Sequence, residues 1–140
     1  MPKLLTKSKY LYGLQCVGYM WDMIHNPEKV PKPDMAQQYI FDQGTIAGNL
    51  AKDVFINGID IPEGNFMENL NQSKKLLSKR VPLFEAAFMV DGIYSRADIL
   101  KPVGKTQWDI IEVKSGTKVK PENLHDVSFQ KHCYEKAGLK

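Results

Sequence analysis

Cysteine is scarce in this chain of 140 residues. The two thiols, Cys16 and Cys133, lie at opposite ends of it, so no CxxC pair seeds a zinc site and a dense disulfide framework is excluded. Histidine is equally thin, and His25, His125 and His132 show no metal-ligand spacing. Long apolar runs are missing too. No stretch approaches the roughly 18 residues of a membrane span, and the opening MPKLLTKSKYLYGLQ lacks the continuous apolar segment of a secretory signal. No internal repeat, low-complexity tract or linker divides the chain. The expectation is a reduced, cytoplasmic protein with no membrane partner and one domain over 1–140.

Neither sign of charge dominates. Nineteen Lys and Arg against 16 Asp and Glu leave +3, which permits polyanion binding without demanding it. With 43% hydrophobic and 25% charged residues, the composition is that of a chain that folds around a core.

Periodicity supplies the elements. Between Ser8 and His25 the apolar positions Leu11, Leu14, Val17, Tyr19, Met20 and Trp21 recur near 3.6, which predicts one helix ended by Asn26-Pro27. Asp34 is a good N-cap for a second helix, outlined by Ala36, Tyr39, Ile40, Ile46, Ala47, Leu50, Val54 and Phe55 and closed by Asn57-Gly58. Gly44 and Gly48 share one face of it, a spacing that favours close packing over a functional contact. FMENLNQSKKLLSKR, with Met67, Leu70, Leu76 and Leu77 apolar, predicts a third helix stopped by Val81-Pro82. LFEAAFMV, YSRADILK and WDIIEVKS, separated by Asp91-Gly92 and PVGKTQ, then read as three strands in an antiparallel meander. Pro121 opens a last helix carrying Leu124, Val127, Cys133, Tyr134 and Ala137, closed by Gly138. The expected class is mixed α/β (α+β), mainly helical over 1–80 and sheet plus helix over 81–140. Three strands alone leave bare edges, which suggests the N-terminal part of a longer protein or a homo-oligomer.

The chemistry-bearing residues sit in the meander. Positions i and i+2 on a strand face the same way, so Glu112 and Lys114 project together. If PVGKTQ pairs Lys101 with Gln107, Asp98 lies opposite Ile110 and diagonal to Glu112 on that face. Ile99, Leu100, Ile110, Ile111 and Val113 mark these strands as largely buried, and charges there are costly unless paired or metal-bound. Two carboxylates suit a hard cation such as Mg²⁺ or Mn²⁺. An ordinary cross-strand salt bridge fits the same spacing. Gln130 and Tyr134, four apart, share a helical face just beyond.

RADIL, WDIIEVKSGT and QKHCY together resemble the PD-(D/E)xK nuclease superfamily, and within it the RecB-like exonuclease branch that includes the CRISPR-associated exonucleases. TKSKYLYGLQCVGYMWDM is similar to the start of bacterial proteins of unknown function attached to that branch. The resemblance covers about residues 83 to 136. It implies a restriction-endonuclease-like core that hydrolyses nucleic acid, DNA rather than RNA, with Mg²⁺ or Mn²⁺ in repair, recombination or defence. It also implies that Asp98 and Glu112 bind the metal, with the carbonyl of Val113 as a further ligand, and that Lys114 positions or activates the attacking water. Gln130 and Tyr134 would line the active site and the DNA path. Glu85 stands where such proteins often carry an acidic residue.

Two departures qualify the match. The family often carries GxxxH in the helix before the sheet; here GTIAG puts Gly48 where that His would be. Iron-sulfur members use one cysteine before the core and three after it. Cys16 could be the first, but Cys133 falls inside the QxxxY helix, so no iron-sulfur cluster is assigned. The competing expectation is a non-catalytic nucleic-acid-binding or protein-interaction module that retains the fold. The basic run Lys74, Lys75, Lys79 and Arg80 reads as a solvated helix face, and Tyr10, Tyr12, Tyr19 and Trp21 as core aromatics, rather than as phosphate and base contacts.

Overall fold

A computed structural model describes residues 4–62 and 64–140. The architecture is mixed α/β, and the described residues form five α-helices and a mixed sheet of five strands. In chain order these are β1 (Leu5–Thr6), α1 (Lys7–Gln15), α2 (Val17–His25), α3 (Met35–Asp53), β2 (Ile59–Asp60) and α4 (Phe66–Leu76). There follow β3 (Leu83–Val90), β4 (Ile93–Val103), β5 (Gln107–Ile111) and α5 (Pro121–Lys136).

The expected single helix over Ser8–His25 is two helices. Cys16 between them is extended, with φ −157° and ψ 110°, and its Sγ accepts the Tyr19 amide, so a new helix is capped where the periodicity continues unbroken. Asp34 caps α3 as expected: its carboxylate accepts the Gln37 amide at 2.8 Å and the Gln37 side chain accepts the Asp34 amide at 3.2 Å, a capping box. The third predicted helix ends at Leu76 and tightens into a 3-10 turn over Leu77–Lys79.

The meander forms as expected and has two neighbours with no periodic signal. β1 and β2, two residues each, pair parallel to β4 and β3 respectively. Asp91 and Gly92, at φ 50° and 77°, make the two-residue β3–β4 turn, whose left-handed backbone conformation suits Asp-Gly. β4 is the long strand that organises the rest. β1 pairs with it at Ile93 and Tyr94, and β5 pairs from Ile99 to Val103, so both occupy the same edge of β4 in succession. The start of α1 therefore meets the end of β5.

The β4–β5 register differs from the expectation by two residues. Val103 faces Gln107 and Lys101 faces Asp109, because Pro102 belongs to the strand and the loop contracts to Gly104–Thr106. A shift of two keeps every side chain on its face and, one step beyond the last pair Ile99 and Ile111, brings Asp98 level with Glu112 instead of diagonal to it. Arg80 closes this hairpin: its guanidinium donates to the carbonyls of Val103, Gly104 and Gln107 at 2.9–3.0 Å and stacks 4.4 Å from the Trp108 ring. It is a structural residue, not part of a solvated run.

Leu83, Ala86, Phe88, Ala97, Leu100, Cys133 and Tyr134 form the core, where α5 covers the sheet. Tyr10 stacks on Phe129 with ring centroids 5.0 Å apart and docks α1 on α5. Met35, Tyr39, Ile46 and Leu50 of α3 are exposed along one stripe of the helix.

Candidate active site

The junction of β1 and β5 on the edge of β4 gathers most of the charge. Glu112 lies just past the end of β5, in an extended segment that includes Val113 and Lys114. Its Oε1 accepts Lys114 Nζ at 2.7 Å and Lys7 Nζ at 2.8 Å, and its Oε2 accepts Gln130 Nε2 at 2.7 Å. The side chains of Glu112 and Lys114 meet as the strand alternation requires, although the ladder itself stops at Ile111.

Across β4, Asp98 Oδ2 accepts the Val113 amide at 2.7 Å, and its other oxygen takes no hydrogen bond among the described residues. Burial is the main reason its carboxyl is pushed up to about 6, and the Glu112 charge adds to it. The Val113 hydrogen bond and the Lys7 charge oppose the rise without cancelling it.

Two residues that sequence reasoning missed complete the cluster. Asp126 on α5 is buried, with Oδ2 2.8 Å from Lys114 Nζ and Oδ1 accepting Gln130 Nε2 at 2.9 Å. Burial opposes its ionisation, but the bonds from Lys114 and Gln130 and the charge of Lys7 win, and its carboxyl lies below the usual range. Lys7, at the first turn of α1, is 3.5 Å from the same Asp126. The available signal was the spacing Asp126, Gln130, Tyr134, which places two polar side chains on the buried stripe of a helix.

The electrostatics restrict what Lys114 does. Burial would lower its pKa, but the bonds to Asp126 and Glu112 outweigh burial and raise it. Lys114 is an ammonium here. It can hold a water or a phosphate oxygen, but it has no free pair with which to take a proton.

Between α3 and the sheet lies an open cleft of about 520 Å³, lined by Glu85, Asp98, Glu112 and Lys114 on one side and by Gly44, Gly48 and Lys52 on the other. The packing explanation for the two glycines fails, since among the described residues nothing outside their own helix lies within 4 Å of a methyl group built on either. Their missing side chains widen the cleft directly over the carboxylates. Glu85 is held by Arg96 Nε at 3.0 Å and lies 4.0 Å from Lys52.

Gln130 and Tyr134 do not line that cleft in the way the resemblance implies. Gln130 is fully buried and braces Glu112 against Asp126 from below. Tyr134 lies in the core, 2% exposed, with its hydroxyl bonded to the backbone of β3 and β4. A helix that packs its QxxxY face onto the sheet cannot also offer that face to a polymer. Cys133 beside it is buried, and burial pushes its thiol up to about 11.

Among the described residues no group of three or more His, Cys, Asp and Glu side chains forms a ready cage for a metal ion. The donor set is instead two carboxylates, Asp98 and Glu112, that line one open cleft. That suits a hard ion that keeps several of its own waters, as Mg²⁺ does. Gln130 Oε1 is buried with no partner among the described residues, a further polar atom on the side chain that bonds Glu112. Compared with known proteins, the chain matches no family model, no curated protein and no solved structure.

Proposed function

We propose that this chain is a metal-dependent phosphodiesterase domain acting on DNA. The observation that carries the reading is the pair Asp98, on β4, and Glu112, just past β5, which line one cleft with Lys114, with the Asp98 carboxyl pushed up to about 6. Carboxylates forced together in this way favour a bound cation or proton. Asp98 and Glu112 would hold Mg²⁺ or Mn²⁺, which supplies a polarised water and charge stabilisation at phosphorus. Lys114, as an ammonium, orients that water or a non-bridging phosphate oxygen, and Asp126 and Gln130 keep Lys114 and Glu112 in place. The Val113 carbonyl remains a candidate further ligand, since Val113 also lines the cleft.

The finer fold assignment, a restriction-endonuclease-like core, rests on the order of α4, the β3–β5 meander and α5 together with the motif residues. Gly48 lines the cleft beside Asp98 and Glu112, which supports the alignment that gives position 48 to a metal-binding His in the family. A cytoplasmic location belongs to the proposal, and the free Cys16 and Cys133 are compatible with a reducing compartment.

One observation favours the second reading, a binding module without turnover. Lys7, Lys114 and Gln130 already take three of the roughly four acceptor positions of Glu112, and two of the three are cations that compete with a metal ion for its charge.

The deciding experiment titrates Mn²⁺ into the full chain by calorimetry and follows single- and double-stranded DNA with Mg²⁺, Mn²⁺ or chelator. Cation-dependent cleavage that stops with chelator, and is lost in Lys114→Ala, is expected. Mn²⁺ binding that leaves both DNAs intact would establish the module instead. Equal binding by an Asp98→Ala, Glu112→Ala double variant would refute the site.

A further inference from the structure

In a regular strand the carbonyls of residues i and i+2 point to the same neighbour. β3 breaks this rule at Glu85. The carbonyls of Pro82 and Phe84 face β2, where they accept the amides of Ile59 and Ile61 at 2.9 and 3.0 Å. The carbonyl of Ala86 instead accepts the Tyr134 hydroxyl at 2.5 Å, and that hydroxyl accepts the Ala97 amide of β4 at 2.8 Å. Ala86 and Ala97 are partners in the β3–β4 register. The phenol oxygen therefore stands between two groups that would otherwise bond directly, as a wedge in the ladder.

The reversal falls on a residue unsuited to it. Glu85 has φ 61°, a left-handed conformation that is costly away from glycine and has no turn to justify it in mid-strand. Consecutive pairs in the register run from Phe84 and Ile99 to Ala86 and Ala97, passing over Glu85 and Asp98. These two are the acidic residues that β3 and β4 contribute to the cleft. Asp98 is held at its tip and next to its backbone: its carboxylate accepts the Val113 amide, and the amide of the preceding residue, Ala97, donates to the Tyr134 hydroxyl.

We propose that Tyr134 is a positioning residue for the cation site, its hydroxyl holding β3 and β4 apart so that Glu85 and Asp98 keep their places in the cleft. The proposal rests on the reading of Asp98 and Glu112 as cation ligands. Tyr134 touches nothing in the cleft itself and works only through the strand backbone. Its phenol is neutral, since burial holds its pKa well above the ordinary value. A neutral hydroxyl is what the wedge requires, because one oxygen both donates to Ala86 and accepts from Ala97.

Two comparisons test this. Tyr134→Phe keeps the ring and removes the wedge, and Phe88→Leu perturbs the same core, where Phe88 packs 4.8 Å from the Tyr134 ring. Calorimetric Mn²⁺ titration should find affinity reduced tenfold or more in Tyr134→Phe and within twofold of the parent in Phe88→Leu. Separately, urea melts should rank Glu85→Gly above Glu85→Ala, because only glycine adopts φ 61° without strain. That ranking should vanish when Tyr134→Phe is present. A Tyr134→Phe chain that binds Mn²⁺ like the parent, or that does not fold at all, overturns the proposal. So does an alanine at 85 that equals or exceeds glycine. A parent chain with no Mn²⁺ affinity defeats the cation reading and this proposal with it, whereas the Glu85 ranking still reports whether the wedge exists.

Discussion

Asp98→Asn should make the metal-free chain more stable at pH 7. The substitution keeps the shape and the acceptor oxygen that takes the Val113 amide at 2.7 Å, and it removes the charge that burial and Glu112 oppose. A carboxyl raised from 3.8 to about 6 is penalised by close to two pH units when ionised, roughly 3 kcal/mol. The sign follows from proton uptake. The folded value lies above the unfolded one, so the folded chain binds the proton first as pH falls. The penalty is complete above about pH 6 and gone below 3.8. The gain from Asp98→Asn should thus be about 2–3 kcal/mol at pH 7.5, shrink through pH 6 to 4, and vanish in more acidic solution. Asp126, whose carboxyl is shifted down, adds an opposite trend, with stability lost as acid protonates it. Both chains share that trend, so the difference between their urea midpoints isolates Asp98. Saturating Mn²⁺ should reverse the order, because only the parent keeps both carboxylates. A pH-independent gain, or a loss at pH 7.5, would refute the reasoning.

Two further substitutions separate structural charge from functional charge. Arg80→Ala should cost about 1.5–3 kcal/mol in a urea melt, since three carbonyls of the β4–β5 hairpin lose a charged donor, and Arg80→Lys should not restore it; a neutral Arg80→Ala would return Arg80 to the solvated run. Gly48→His, placed in open space over Asp98 on a regular helix, should leave stability unchanged or higher by about 0.5 kcal/mol and tighten Mn²⁺ binding roughly tenfold by calorimetry; unchanged affinity would mean that position 48 does not reach the ion.

Local chemistry made part of this molecule legible. Asp34 with Gln37 announces the start of α3, and Asp91-Gly92 fixes the β3–β4 turn, because each acts through bonds made within a few residues. What failed to show depends on distance. β1 and β2 are too short for a period, and they exist because β4 and β3 offer edges to pair with. Pro102 reads as a turn residue and is carried into β4 by its neighbours, which moves the register by two. Arg80 looks like one more basic side chain until the hairpin carbonyls 23 to 27 residues away are in view. In the site, Asp98, Glu112 and Lys114 were legible from strand alternation. Lys7 and Asp126 were not, because the junction that unites them is built from β1, β5 and α5 together.

The charge balance at that junction bears on which reading of the cluster holds. Asp98, Glu112 and Asp126 bring three carboxylates, while Lys7 and Lys114 bring two ammonium groups, both shared between Glu112 and Asp126. Glu85 is paired with Arg96 at 3.0 Å and lies 4.0 Å from Lys52, whose nearer partner is Asp60. The excess negative charge therefore falls on Asp98, which has no cationic side chain within 4 Å among the described residues and whose carboxyl is the one pushed up to about 6. A cluster evolved only to hold strands together gains nothing from such an unbalanced group, since an ion pair without its partner is a net cost in a buried setting. A proton meets the deficit of one positive charge in acid, and on the proposed reading a cation would meet it near neutrality. The two glycines leave room above Asp98 for an ion with its waters, and the deficit and the open space coincide. A salt-bridge scaffold accounts for Glu112, Asp126, Lys7 and Lys114, but it leaves Asp98 and the cleft unexplained.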